Sequence, residues 1–286
     1  MSSGKQGSKK KQRMAPPKSG TCALLGVQGT FAKAHLIPRA FTGTDVPGER
    51  FIEAGRGHRP VRRFSSWYDH QLVITDGEKI LSDLDNDGIA ELRKKRLVWS
   101  GFGGKKSLDT DDLLVPPDPH SGISIRSVTS LNSDKIRLFL LSVLWRSLRT
   151  KIKEFSYLEN IGLDLDVLGR HIAAKDPGHP SYLPIMLSQI STVGFTHNHS
   201  PTIQEIEHPD GNGGTQPQQF YRLYMQGLIA HIYPENCQEI FERSRAAFVG
   251  GSDALMVIAH KFENSRQFLD AKETMTQSMR DWPGFR

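Results

Sequence analysis

The strongest constraint on the fold is a helical repeat of apolar residues. Ile136, Phe139, Leu140, Val143 and Leu144 return every three or four positions, behind Ser133 or Asp134 as candidate caps. Such a stripe commits one face of a long helix to a core, with Trp145 and Arg146 on its flank. We read it as a core helix without chemistry. A second helix is expected over 165–174, halted by the Asp-Pro-Gly-His-Pro that follows, and 182–192 reads as a strand. Residues 220–234 read as one long strand or a hairpin bent at Gly227, residues 199–218 as a polar loop, and 253–280 as helix. The expected class is α+β. A Pro-rich turn at 116–122 suggests a boundary, giving a disordered basic tail (1–19), a first domain (20–115), a linker (116–132) and a C-terminal α+β domain (133–286).

At 286 residues, 37% hydrophobic and 24% charged, the chain can bury a sizeable core. No run approaches the length of apolar sequence needed to cross a bilayer, and the first residues lack the apolar segment of a secretory signal. The two cysteines, Cys22 and Cys237, have no CxxC partner, so neither a disulfide framework nor a complete cysteine zinc site can be written. A reducing, cytoplasmic setting is the expectation. The net charge of +6 belongs to the tail: Lys5, Lys9, Lys10, Lys11, Arg13 and Lys18 lie before residue 20, leaving 31 basic against 31 acidic residues. A basic tail adds sequence-independent phosphate affinity without specifying a site.

The informative stretch is TCALLGVQGTFAKAHLIPRAF, followed after a spacer by WYDHQLVITDGEKILSDLDNDGIAELRKKRLVW. It resembles the HNH-endonuclease-like family of bacterial and phage proteins. In that family a CxxCG knuckle precedes a His-Ile-Ile-Pro turn, and a later CxxCE segment runs into a helix. The marks are Cys22, Gly26, the His35-Leu36-Ile37-Pro38 turn, Tyr68-Asp69, Leu72, Glu78 and Leu81. The KIRLFLLSVLWRS and DPGHPSYLPIML segments are similar to an extension found in one branch. The resemblance implies a ββα N-terminal subdomain joined to a mixed helical and stranded C-terminal domain.

It also implies a site. Family members bind a structural zinc through four thiolates, and the matching positions here are Cys22, Leu25, Ile74 and Gly77. One thiolate cannot hold tetrahedral zinc, so apolar contact is expected in its place. In the family a histidine acts as general base beside one divalent cation, a role that falls to His35. Ala34 stands where an aspartate ligand is common. Glu78 stands where a His or Asn often begins the helix, and a carboxylate suits Mg²⁺. Asp83 is a further candidate ligand, although five residues from Glu78 is poor same-face spacing. The implied function is nucleic-acid-directed, metal-dependent phosphodiester hydrolysis. The alternative is a non-catalytic descendant that holds nucleic acid or a partner protein.

Other signals compete. Asp83, Asp85, Asp87, Gly88 and Glu91 imitate a calcium loop, but Lys94 stands where an EF-hand requires Glu. Arg56, Arg59, Arg62 and Arg63, with Arg93, Lys94, Lys95 and Arg96, form two basic clusters near Trp67, Tyr68 and Trp99, and could track phosphates. Against that, residues 20–115 hold 14 basic and 13 acidic residues, so a patch requires segregation in space. His197 and His199 have H-x-H spacing, with Asp176, His179 and His208 as further candidates. No phosphate loop or serine-nucleophile motif is present.

Overall fold

In the computed structural model the described residues are 18–42, 51–55, 58–63, 67–209, 214–234 and 237–284, with backbone alone for 51–63 and 208–209. Strands β1 (Ser19–Thr21) and β2 (Gln28–Thr30) form an antiparallel ribbon. Its turn is closed by Cys22 N–H to the Val27 carbonyl and Gly26 N–H to the Cys22 carbonyl, and Gly26 adopts φ +69°, where a side chain would strain. Strand β3 (Ala34–His35) pairs antiparallel with β6 (Tyr68–Asp69), and the hairpin of β4 (Phe51–Gly55) and β5 (His58–Arg63) lies between them in sequence. Helix α1 (Thr75–Lys94) follows, with Asp76 and Glu78 in its first turn and Arg93 and Lys94 in its last, as the helix dipole favours.

Helix α2 (Ser133–Arg149) is the expected core helix, capped by Asn132, whose side chain accepts from Lys135 N–H. This cap lies one residue before the candidates read from sequence. Every residue from Ile136 to Ser147 is buried, so α2 is enclosed on all sides instead of presenting one apolar stripe. Helix α1 covers one side, and α3 (Leu165–Ala174), capped by Asp164, another. Gly88 of α1 sits so close to Phe139 of α2 that any Cβ there would fall inside the aromatic side chain.

A six-stranded sheet supplies the remaining cover. It runs in the order β7 (Ser124–Thr129), β12 (Ala254–His260), β8 (Ile185–Ile190), β11 (Leu228–Ile232), β10 (Thr215–Met225), β9 (Thr202–Pro209). All neighbours are antiparallel except β12 and β8. β10 and β11 are the hairpin expected around Gly227, turned through Gln226 and Gly227 at φ 45° and 82°. The remaining helices are α4 (Gln238–Arg243) and α5 (Arg266–Asp281), and no helix among the described residues is long and apolar enough to cross a membrane.

Three expectations are corrected. The segment 116–132 is no mere linker, because it contains β7, whose Ser124 hydroxyl also donates to the Ala259 carbonyl. The 199–218 segment forms β9 and the start of β10: hairpin pairing satisfies the backbone whatever the polarity of the side chains. Helix was expected throughout 253–280, but Ala254–His260 alternates buried and exposed with a period of two and pairs as β12. One hydrophobic cluster reaches from Cys22 through α1 and α2 to Val257, so the N-terminal elements and the sheet share a core.

Candidate functional site

His35 occupies the second position of β3, opposite Tyr68, with its backbone fixed from beneath. The guanidinium of Arg146, on the last turn of α2 and 1% exposed, donates from Nη1 to the His35 carbonyl at 2.8 Å. The same group grips Asp85 of α1 through two bonds, Nη1 to Oδ2 at 2.9 Å and Nη2 to Oδ1 at 2.6 Å. Its Nε donates to the Ser142 carbonyl at 3.2 Å. A two-bond Arg–carboxylate fork fixes direction as well as charge, so α1, α2 and β3 are locked at one point.

Glu78 lies seven residues before Asp85, two helical turns away and on the same face of α1. Its Oε2 is buried and has no hydrogen-bond partner. Burial pushes its carboxyl up to about 7; nearby Arg146 opposes this and Asp85 adds to it. His35, half-buried, is held below the ordinary imidazole range, first by burial, then by Lys33, Arg146 and Arg39, against the pull of Asp85. The imidazole is therefore a neutral proton acceptor at pH 7. Lys33 rests its ammonium 3.9 Å above the Tyr68 ring, which stands edge-on to both His35 and His70. The buried Arg146–Asp85 pair thus acts on both His35, a neutral base, and Glu78, a carboxyl with an unpartnered oxygen, while the exposed cations Lys33 and Arg39 act on His35. A cleft of about 760 Å³ between the β7–α2 turn and Gly250–Leu255 lies elsewhere and includes none of these groups.

The structure brings His35 and Glu78 to the same Arg146–Asp85 pair. Asp83 is not part of that group: it faces Lys175 beyond α3, at 3.0 Å, and does not act on the titration of either His35 or Glu78. The calcium-loop reading is overturned outright, because these acids lie on a continuous helix and each has its own partner. Asp85 meets Arg146, Asp87 meets Lys135 at 3.0 Å, and Glu91 accepts from Asn132 N–H at 3.0 Å. Gly88 is required by the approach of Phe139 and not by a loop turn. Among the described residues, no three His, Cys, Asp or Glu side chains are grouped to hold a metal ion.

The positions matched to zinc ligands do meet in space. A Cβ on Gly77 would stand 2.9 Å from Cys22 Sγ, and Ala23 N–H bonds the Leu72 carbonyl across the same junction. Ile74 belongs to the surrounding apolar core and Leu25 packs against it. Thiol and aliphatic groups fill the volume between the β1–β2 turn and the start of α1.

The basic run at the end of α1 makes contacts within the protein, although Arg93 and Lys94 stay exposed. Arg93 donates to Ser100, Lys94 lies 4.0 Å from Glu91, and Lys95 donates to the Thr129 carbonyl. Arg96, at φ 55°, pairs with Asp109 and Asp112 at 3.3 and 2.8 Å. Arg62 and Arg63 lie on β5 with side chains outside the described residues, as does that of Arg59; Arg56 lies outside altogether. Trp67 is buried edge-on to Phe155 and offers no stacking platform. His197 and His199 bond the Phe195 and Ser200 carbonyls, Asp176 caps Gly178, and His179 bonds Ser181; the side chain of His208 is outside the described residues.

Sequence reasoning missed Arg146 and Asp85. One signal was available: an arginine inside a continuously apolar helix must find an acid or a nest of carbonyls. No family model matches this chain, and neither the curated proteins nor the solved structures yielded a match.

Proposed function

We propose that the chain is a nucleic-acid-directed protein of HNH-endonuclease ancestry that hydrolyses a phosphodiester bond at His35. The reading rests on one shared neighbour: the Arg146–Asp85 fork acts on both a neutral imidazole on a short antiparallel pair and a carboxyl from the first turn of the following helix. A ββα order of this kind, with the Cys22–Gly77 contact beneath it, supports the resemblance read from sequence.

In this reading His35 accepts the proton of the attacking water, and Lys33 and Arg39 draw the phosphate to the surface. Arg146 positions the base through its backbone carbonyl and takes no part in the chemistry. Glu78 is the residue that would hold Mg²⁺, since its buried Oε2 lacks a partner while both Asp85 oxygens are committed to Arg146. The cation supplies neutralisation of charge on the phosphate and the leaving oxygen. Replacing His35 with Ala should abolish Mg²⁺-dependent plasmid nicking and leave the melting curve intact. Nicking that survives in the folded variant ends the assignment.

A second reading, a binding module without hydrolysis, is favoured by Ala34, wholly buried where the family often has a metal-binding aspartate. Gel shifts at two salt concentrations with no cleavage under Mg²⁺ or Mn²⁺ would select it.

A further inference from the structure

A cavity of about 210 Å³ opens beyond the end of β8, where the Arg39–Phe41 turn, the segment after α1, the segment after β8 and the β10–β11 turn meet. Phe41 and Trp99 supply its aromatic lining. Trp99 is fixed in place: its backbone N–H donates to the Gln226 carbonyl at 3.0 Å and its indole N–H to the Ile190 carbonyl at 3.1 Å, while Tyr224 and Phe262 stand edge-on to the ring. The indole is nonetheless partly exposed. It is therefore a rigid apolar wall that loses little freedom when something packs on it.

The same cavity is lined by Gly104, Lys105 and Lys106 and by no carboxylate. This stretch is pinned to the sheet, since the Lys106 carbonyl accepts from Val193 N–H at 2.8 Å and Leu108 N–H bonds the Ser191 carbonyl at 2.9 Å. Lys106 is exposed, and its ammonium has no partner among the described residues. Lys105 shares Asp109 with Arg96, at 2.6 and 3.3 Å. Phe102, at φ −76° and ψ 0°, is followed by Gly103 and Gly104 at φ 66° and 83°, a right-to-left alternation that turns successive N–H groups toward one concavity. The N–H groups of both glycines are without partners among the described residues, and a Cβ at either would meet nothing within 4 Å. His197, also in the lining, is stacked on Tyr224 at 4.6 Å with both ring nitrogens engaged; burial pushes it down to about 4, so the lysines set the sign of the charge. Gln226 has hydrogen-bonding capacity to spare: its Nε2 reaches the Ala40 carbonyl only at 3.4 Å, and its Oε1 is unpartnered.

We infer that this cavity binds a 5′-phosphorylated nucleoside, its base against Trp99 and its phosphate held by Lys106, Lys105 and the Gly104 N–H. The volume is below the roughly 300–1,000 Å³ of sites that enclose a drug-sized ligand, and suits one ring system with a charged substituent. A phosphate monoester carries about −1.5 to −2 charges at pH 7, which two lysines match better than they match a single carboxylate. A base is the fitting ring because it stacks on an indole whatever its identity, and because a ring amino group is the donor that Gln226 Oε1 lacks. The same chemistry occurs in a free mononucleotide and at the 5′ end of a strand. None of the lining residues belongs to the His35 group, so the inference holds or fails apart from the nuclease reading.

The test is titration of the full-length chain with adenosine, guanosine, cytidine and uridine 5′-monophosphates, with the unphosphorylated nucleosides, and with inorganic phosphate, following heat and tryptophan fluorescence. Saturable binding of a monophosphate with fluorescence quenching is expected, at least roughly tenfold tighter than its nucleoside or phosphate alone, because both halves of the cavity are then filled. A 5′-phosphorylated oligonucleotide, compared with its 5′-hydroxyl counterpart, separates the two sources: preference for the phosphorylated strand over the monophosphate assigns a strand end, and the reverse a free nucleotide. Trp99→Leu should abolish the quenching but risks misfolding. The decisive variant is therefore Lys106→Glu, at an exposed position with no partner to lose, which should weaken the monophosphate by roughly tenfold or more and leave the nucleoside little changed. His35→Ala should leave binding unchanged. Absence of saturable binding of any monophosphate to the wild-type chain, or undiminished binding to folded Lys106→Glu, overturns the inference.

Discussion

Arg146 and Asp85 are joined by two hydrogen bonds of 2.9 and 2.6 Å in the interior, the guanidinium 1% exposed and the carboxylate 14%. This pair sets the electrostatics of the candidate site, since its charges reach both His35 and Glu78. Buried ion pairs contribute little net stability when intact, because desolvation offsets attraction, but breaking one strands a charge.

Arg146→Met is therefore expected to destabilise the protein by about 3–5 kcal/mol in urea unfolding, since Asp85 is left buried without its partner. The double variant Arg146→Met with Asp85→Leu should recover most of that loss. A double variant as unstable as the single would show that the fork is not the origin of the cost.

Glu78 predicts a pH dependence. Its folded-state value, about 7, lies above the ordinary carboxylate range, so the native state binds more protons than the unfolded chain between roughly pH 4.5 and 7. The stability this group supplies is present at acid pH and is lost as pH rises through 7. Glu78→Gln should flatten that slope and melt higher than wild type at pH 8, with little difference at pH 5. Equal melting temperatures at pH 8 would refute the burial argument.

The Cys22–Gly77 contact predicts a compensating pair. A methyl group at residue 77 would stand 2.9 Å from Cys22 Sγ and 3.1 Å from Val73 Cβ, in a buried position. Crowding of this kind costs about 1–3 kcal/mol, against a helix-propensity gain of about 1 kcal/mol for Gly→Ala. Gly77→Ala should be neutral to destabilising alone and stabilising in a Cys22→Ala background, as read by a double-mutant cycle. Chelators should leave the melting temperature unchanged.

Gly88→Ala should be more severe, because the added carbon meets Phe139 at the crossing of α1 and α2, where both helices are enclosed. Loss of at least about 2 kcal/mol is expected, and Phe139→Leu should not rescue it, because the clash is with Cβ and Cγ, which leucine retains. A neutral Gly88→Ala would show that the helices can separate without loss.

Local order in the chain was enough for α2, α3, β8 and the Gly227 hairpin, since their apolar spacing and turn residues act over a few positions. The same local rules failed where pairing is remote. Residues 202–209 read as a polar loop because an edge strand needs no apolar face once a neighbour satisfies its backbone, and β12 passed for helix until its neighbours β7 and β8 imposed a period of two. The acidic stretch from Asp83 to Glu91 looked like a cation loop, for spacing alone cannot say that each acid meets a different partner from a different element.

The sequence by itself determined which segments could bury a face, and it placed His35 and Glu78 as residues worth testing. Only the tertiary structure decided that the Arg146–Asp85 pair acts on both, that Asp83 pairs instead with Lys175, and that Arg146 pins both helices to β3. The reason is physical: periodicity is a property of neighbours along the chain, whereas the partner of a buried charge is chosen by which helices pack together.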